Sequence, residues 1–244
     1  MRYALYFAAP ANDPLMQLGN LWLGRDPFTG KALSQPSLDT LSRDRFEALT
    51  TEPRRYGFHG TLKAPFALRD GTTADELVAA CTAFASESAP FVLQGLSVNR
   101  LGKFLALTPD VPEPDLSAFA ATCVRRFEPF RRPLSESDLE RRRKSRLTPD
   151  QDRNLVEWGY PYIFEDFRFH MTLSNKLEDE GEATTLEAAA RAHFQDLTGR
   201  FRQVESLGLY CEAERGAPFQ VHTIFPLTGT QTPDQSLSKC RGSK

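Results

Sequence analysis

Residues 58–62 read Phe-His-Gly-Thr-Leu and residues 169–173 read Phe-His-Met-Thr-Leu, so one pattern occurs twice with an offset of 111 residues. The chain has only four histidines, and two of them belong to this pattern. If each segment is a strand, its side chains alternate between two faces, and the histidine and threonine share one face. The flanking phenylalanine and leucine then face the core. Each strand would therefore hold an imidazole that moves protons beside a hydroxyl that binds a phosphate oxygen.

The repetition extends beyond these five-residue strings. Residues 73–76 and 184–187 both match the Thr-x-x-Glu capping box that begins helices, and they are again 111 residues apart. Apolar side chains at helical spacing follow each box. A strand hairpin is predicted after each helix, over 91–99 with 103–108 and over 201–211 with 219–227. The unit of strand, helix and hairpin therefore occurs twice, over about 56–108 and 167–227.

One such unit is small for an independent core, which favours two packed units related by a pseudo-twofold axis over two free domains. We expect one domain over 1–229 with a cleft between the units, and a disordered tail over 230–244, which is polar and lacks apolar periodicity. Outside the repeats, the sequence predicts a strand over 2–9 and helices over 14–23, 39–49 and 115–127. A further helix is expected to begin at Ser135 or Ser137.

Composition excludes several classes of protein. With 244 residues, 40% hydrophobic and 25% charged, the chain can bury one sizeable core. No run reaches the roughly 20 apolar residues of a membrane span, and residues 1–10 lack the features of a secretory signal, so we expect a cytoplasmic protein without a membrane partner. A net charge of −2 does not indicate the overall positive charge that is typical of nucleic-acid-binding proteins. The widely spaced cysteines argue against a zinc site and for reduced thiols; they are Cys81, Cys123, Cys211 and Cys240.

The most conspicuous charge run is 141–146, which reads Arg-Arg-Arg-Lys-Ser-Arg and lies between the two repeats. Such runs are most often solvated helix faces, here partly balanced by nearby acidic residues. The alternative is a basic rim that attracts a polyanionic substrate. The sequence leaves both interpretations open.

The paired His-x-Thr strands resemble the two-histidine (2H) phosphoesterase superfamily, which includes the bacterial LigT-like RNA ligases and cyclic phosphodiesterases. Segments 58–66, 158–162 and 167–173 look like a branch associated with bacterial phosphonate-utilisation operons, and the resemblance covers approximately residues 2–228. It implies an α+β fold, bilobed with a pseudo-twofold axis, in which two antiparallel sheets face a central cleft and the helices lie outside.

The resemblance also implies roles for four residues. His59 and His170 would divide the general base and general acid duties, while Thr61 and Thr172 would hold the non-bridging phosphate oxygens. An unperturbed imidazole titrates near pH ~6.5, so at neutral pH one histidine can be neutral and the other protonated. This chemistry needs no metal, and the sequence contains no clear cofactor motif. The sequence does not assign the two roles.

Other residues are weaker candidates. Lys63 is expected to continue the face of His59 and Thr61, where it would neutralise a phosphate or simply remain solvated, and Ser174 occupies the equivalent place in the second repeat. The remaining candidates for substrate contacts are Tyr56, Lys103, Tyr160 and Tyr162. His193 fits an apolar helical stripe and is expected to pack, and His222 lies beside Thr223 without the His-x-Thr spacing.

These observations predict metal-independent hydrolysis of a cyclic phosphodiester on a small ribose-containing or nucleotide-like substrate, with a place in phosphonate metabolism suggested by the resemblance. One alternative is an RNA-end 2′,3′-cyclic phosphodiesterase or 2′-5′ RNA ligase, with RNA as the less favoured partner. Another is a non-catalytic nucleotide-binding module. The sequence leaves the oligomeric state open.

Overall fold

The computed structural model describes residues 1–230, so the prediction of a disordered tail falls outside the described residues from 231 onward. The strands in this range are β1 Arg2–Phe7, β2 Gly60–Phe66, β3 Phe91–Leu93, β4 Leu96–Leu101, β5 Phe104–Pro109, β6 Met171–Thr172, β7 Arg202–Val204, β8 Ser206–Glu212 and β9 Gln220–Pro226. The α-helices are α1 Pro14–Leu23, α2 Arg43–Leu49, α3 Thr51–Tyr56, α4 Ala74–Glu87, α5 Pro114–Arg126, α6 Glu136–Arg143, α7 Pro149–Trp158 and α8 Glu180–Phe194.

The strands form two antiparallel sheets. The larger has seven strands in the order β4-β5-β6-β2-β1-β8-β9, and the smaller pairs β3 with β7. The predicted α+β class with two antiparallel sheets is confirmed. The two repeats appear as β2-α4-β3-β4-β5 and β6-α8-β7-β8-β9, and their strands interleave, because β5 of the first repeat pairs with β6 of the second. The strands that follow the two histidines, β2 and β6, are neighbours in the larger sheet.

The two predicted capping boxes have different outcomes. Thr73 and Glu76 form the reciprocal bonds of a capping box at the start of α4. The second prediction is wrong, because the N-cap of α8 is Asp179, five residues before Thr184, and its carboxylate accepts a backbone N–H of the first turn. Thr184 lies inside α8 and donates its hydroxyl to the backbone one turn back, while Glu187 pairs with two arginines. An aspartate is as good an N-cap as a threonine, and the earlier start adds a turn of helix.

Four of the other helices follow recognisable start signals. Asp13 caps α1, whose first residue is a proline, and Ser135 caps α6, as predicted. Helix α2 begins at Arg43, later than expected, behind Ser42. Helix α7 was not predicted, although Thr148 and Gln151 form a complete capping box ahead of it.

A single contiguous core contains buried side chains from both repeats. The phenylalanine and leucine of both motif segments belong to this core, as predicted from strand alternation. Phe58 lies so close to α1 that a Cβ on Gly19 would come within 2.1 Å of its ring, which explains the glycine there. The Trp22 indole N–H donates to the Leu173 carbonyl at 2.9 Å, so α1 packs against both motif segments. Within residues 1–230, none of the helices has the length and apolar character needed to span a membrane.

Candidate active site

The pairing of Gly60 with Met171 brings the two motif segments side by side. Continuing this antiparallel register by one residue in each direction places Thr61 opposite His170 and His59 opposite Thr172. Residues directly opposite each other in such a pair have Cβ atoms about 4.5–5.5 Å apart and share a face of the sheet. The register therefore gathers the four residues expected to be functional, which are His59, Thr61, His170 and Thr172.

Both imidazoles are oriented by the same kind of hydrogen bond. Nδ1 of His59 lies 2.8 Å from the carbonyl oxygen of Gly57, and Nδ1 of His170 lies 2.7 Å from that of Arg168. A carbonyl oxygen only accepts, so Nδ1–H donates in each case. The neutral ring then carries its lone pair on Nε2, and the cation carries a second proton there. In the first segment, Nε2 of His59 lies 3.3 Å from the hydroxyl oxygen of Thr61. Each histidine therefore keeps Nε2 for proton transfer.

Tyr6 of β1 covers His59. The two rings stack with centroids 3.7 Å apart and planes inclined by 24°. Burial is the main reason that the pKa of His59 is lowered to about 4. The hydrogen bond to the Gly57 carbonyl partly offsets this shift, and the nearby His170 lowers the pKa further. His59 is therefore neutral at pH 7. Tyr6 was not among the residues expected from the sequence, because only the pairing of Tyr6 with Thr61 brings β1 into the site.

Two cavities open at the four residues. The His59 cavity has a volume of about 540 Å³, and its wall includes His59, Thr172, Tyr56 and Phe104. The His170 cavity is smaller, about 120 Å³, and its wall includes Thr61, His170, Tyr160 and Tyr162. Each cavity thus combines a histidine of one segment with the threonine of the other, in agreement with the register.

Aromatic side chains form much of these walls. Tyr56 stacks on Phe219 with ring centroids 5.2 Å apart, and the guanidinium carbon of Arg55 lies 4.2 Å from the Tyr56 centroid. Tyr160 meets Tyr162 edge to face at 5.7 Å. The tyrosines expected to contact substrate therefore border the cavities, in positions held by their own packing.

Lys63 does not continue the histidine face, contrary to expectation. Thr61 pairs with Tyr6 and Lys63 pairs with Leu5, so two steps along β2 match one step along β1. This bulge turns Lys63 to the opposite face of the sheet. There its Nζ donates to the Glu128 carboxylate and to a carbonyl of α5, both at 3.0 Å, and its side chain is only 4% exposed. Lys63 is therefore part of a structural ion pair.

The remaining candidates have structural contacts of their own, although Ser174 also lines the His59 cavity. Lys103 forms an ion pair with Glu178, is 62% exposed, and lines neither cavity. The buried hydroxyl of Ser174 accepts the Leu105 N–H at 2.9 Å, which is a structural bond. His193 packs beside Trp22 and bonds a carbonyl of α1, as expected for a packing histidine. Among residues 1–230, no three His, Cys, Asp or Glu side chains converge as metal ligands.

Comparison with known proteins places the chain in a family. Residues 61–220 match the family model described as "Protein of unknown function (DUF1045)". The chain belongs to this family. The DUF1045 chain is 37% identical over 231 residues to the ribose 1,5-bisphosphate phosphokinase PhnN of Janthinobacterium sp. (strain Marseille), covering 93% of this chain and 51% of that protein. It is 34% identical over 228 residues to the protein of the same name from Laribacter hongkongensis (strain HLHK9), covering 91% and 50%. The chain spans about half the length of these curated relatives.

Solved structures similar to the DUF1045 chain share little sequence with it. One is the Thermus thermophilus protein TT0787, with 16% identity, a TM-score of 0.46, and coverage of 95% of this chain and 100% of that one. Another is E. coli LigT complexed with 3′-AMP, with 12% identity, a TM-score of 0.42, and coverage of 93% and 98%.

Proposed function

We propose that this DUF1045 protein is a phosphoesterase that hydrolyses a cyclic phosphodiester on a small ribose-containing or nucleotide-like substrate. The observation that carries the proposal is the register of Gly60 with Met171, which gathers two histidines and two threonines on one face of the sheet. Both histidines keep Nε2 available because Nδ1–H is bound to a backbone carbonyl. This arrangement supplies two proton-transfer groups and two hydroxyl donors around one phosphate.

The different environments of the histidines suggest their roles. His59 is neutral at neutral pH because its pKa is lowered to about 4, so its Nε2 is the general base. It takes a proton from water as the water oxygen bonds to phosphorus. His170, protonated on Nε2, donates a proton to the ribose oxygen as its bond to phosphorus breaks. Proton exchange with solvent then restores both rings, and the product is a phosphomonoester. Each positioned proton transfer typically contributes about 100-fold to 10,000-fold.

The threonine hydroxyls complete the phosphate site. The Oγ1 atoms of Thr61 and Thr172 donate to the non-bridging oxygens, whose negative charge grows as water attacks. Thr61 lies opposite His170, and Thr172 lies opposite His59, so a phosphate lying over this face of the two strands reaches both hydroxyls. None of these steps uses a metal ion.

The cavity and the relatives both favour a small substrate. The His59 cavity of about 540 Å³ is lined by Tyr56 and Phe104, whose rings suit the face of a ribose or a base. The similar PhnN proteins are named for a kinase of ribose 1,5-bisphosphate, a ribose with two phosphate groups. Opening a cyclic phosphate on a phosphorylated ribose produces a molecule of that class. A role in phosphonate metabolism, which the PhnN name suggests, belongs to this proposal.

A substrate panel tests the proposal. Wild-type protein is assayed with EDTA on nucleoside 2′,3′-cyclic phosphates, ribose cyclic phosphates and RNA ends. We expect turnover of a small cyclic phosphate and a loss of at least about 100-fold in His59→Ala and His170→Ala. His222→Ala is the matched control, since His222 is exposed and lines neither cavity. Strict metal dependence, or activity that survives either substitution, would sink the proposed mechanism. Ligand binding without turnover of any substrate would favour a nucleotide-binding module.

A further inference from the structure

A third cavity, here called the arginine pocket, adjoins the His170 cavity. It has a volume of about 320 Å³, and Tyr160 and Ile163 line both cavities. Its wall contains six arginines, which are Arg2, Arg131, Arg132, Arg141, Arg142 and Arg215. Asp138 is the one carboxylate among the described residues that line it. The arginine pocket is therefore strongly biased toward an anionic ligand.

Most of these arginines already have a carboxylate partner within the fold. Asp138 accepts from two of them at 2.7 Å, and the other carboxylates are Glu128, Glu212 and Asp70. Arg142 differs, since among the described residues it forms no ion pair and its buried Nε has no hydrogen-bond partner. A buried guanidinium N–H without a partner is costly, and a bound anion removes that cost. Arg142 is thus available to a ligand as the structure stands.

Arg142 is close to the proposed phosphate chemistry. Its guanidinium carbon lies 5.5 Å from the centroid of the Tyr160 ring, and Tyr160 lines the His170 cavity together with Thr61. One aromatic side chain therefore separates the unpaired guanidinium from the cavity that contains His170. The basic run divides accordingly, because Arg141 and Arg142 line the pocket, whereas Arg143 pairs with Asp152 of α7.

We propose that the arginine pocket binds a second phosphate group of the substrate, a phosphomonoester, while the cyclic phosphate lies at the histidines. This inference rests on the proposed function for the cyclic end and specifies the substrate class as a doubly phosphorylated small molecule. Arg142 is the principal ligand, because a guanidinium binds phosphate oxygens through charge-assisted and often bidentate hydrogen bonds. Arg2, also in the wall, is held by Glu212 and adds positive charge.

A pair of substrates that differ in one group tests the pocket. The probes are uridine 2′,3′-cyclic phosphate and the same compound with a 5′-phosphate. We expect the wild-type protein to prefer the 5′-phosphorylated probe in kcat/KM, and Arg142→Gln to reduce that preference about 10- to 100-fold, as for loss of a hydrogen bond between charged groups. Arg142→Lys should retain part of the preference. Arg153→Gln is the matched control, because Arg153 is an exposed arginine of α7 outside the pocket and should leave the ratio unchanged.

The outcomes separate this inference from the function on which it rests. Equal kcat/KM values for the two probes, or an unchanged ratio in Arg142→Gln, overturn the arginine pocket while the histidine chemistry stands. If wild-type protein hydrolyses neither these probes nor any cyclic phosphate of the panel above, the proposed function fails, and calorimetric titration with ribose 5-phosphate tests the pocket alone. Binding that weakens at least about 10-fold in Arg142→Gln supports it, and equal binding overturns it. Salt-sensitive binding of an RNA oligonucleotide with no preference for a 5′-phosphate would overturn it in favour of RNA.

Discussion

Gly60 and Met171 occupy the same place in the two motif segments and pair with each other across β2 and β6. They are not equivalent in packing. A Cβ on Gly60 would lie 2.4 Å from the ring of Phe169, so the first segment leaves space for the phenylalanine of the second. Phe169 immediately precedes His170. The small residue in one segment therefore sets the position of the histidine in the other.

Gly60→Ala tests this relationship. The added methyl group collides with the Phe169 ring, so we expect a loss of about 1–3 kcal/mol in the free energy of unfolding, as for overpacked cores, together with lower activity. Urea denaturation and the rate of cyclic phosphate hydrolysis measure the two effects. The double variant Gly60→Ala/Phe169→Leu, which shortens the opposing side chain, should recover part of both. Wild-type stability and activity in Gly60→Ala would contradict the packing argument.

The low pKa of His59 predicts that kcat/KM is maintained to an unusually low pH. We expect kcat/KM to fall only near pH 4, where His59 becomes protonated, rather than near the ordinary pKa of about 6.5. Tyr6→Leu removes the stacked ring and should move the midpoint toward 6.5. The measurements are a pH–rate profile and NMR titration of the His59 ring protons. A wild-type midpoint of about 6.5 for His59 would rule out the effect of burial.

The same pKa has a consequence for stability. The pKa of His59 is about 6.5 in the unfolded chain and about 4 in the folded chain, so the unfolded state binds more protons between these values. The contribution of His59 to stability is therefore present above pH ~6.5 and is lost as the pH falls toward 4. His59→Gln should flatten this part of the curve of unfolding free energy against pH. The exposed-site variant His222→Gln should leave the curve unchanged.

The two threonine hydroxyls are predicted to act on the phosphate and to contribute little to stability. Thr61→Val and Thr172→Val should each lower kcat/KM about 10- to 100-fold, because each removes one hydrogen bond to a charged oxygen. Thr61→Ser and Thr172→Ser keep the hydroxyl and should retain most of the activity. Thermal unfolding shows whether the valine variants are folded. An activity loss in the serine variants as large as in the valine variants would contradict this role.

Lys63, in contrast to the two threonines, is predicted to contribute to stability and not to binding of the cyclic phosphate. Lys63→Met removes a buried partner of Glu128, which Arg131 still contacts, so we expect a loss of about 1–3 kcal/mol in the free energy of unfolding. Lys63 faces away from the histidines but lines the arginine pocket, so KM should not rise for a cyclic phosphate that lacks a second phosphate group. Lys63→Arg keeps a cation beside Glu128 and should lose less stability than Lys63→Met. A raised KM with wild-type stability would return Lys63 to the substrate site.

The features that depend only on neighbouring residues could be predicted from the sequence, whereas those that depend on which strands pair could not. The shared face of His59 and Thr61 follows from strand alternation alone, and the duplicated motif predicted the same for the second pair. The opposite orientation of Lys63 results from a bulge that appears only in the pairing of β2 with β1. The stacking of Tyr6 on His59 also depends on which strand lies beside β2. The start of α8 was mistaken because Asp179 and Thr184 are both suitable N-caps, and only tertiary packing chooses between them.

The exchange of strand partners between the repeats has a consequence for the folding of each repeat. Because β5 of one repeat pairs with β6 of the other, and β3 pairs with β7, a single repeat on its own would expose unpaired strand edges. Each repeat therefore completes the sheets of the other, and neither repeat expressed alone is expected to fold as an independent, monomeric unit.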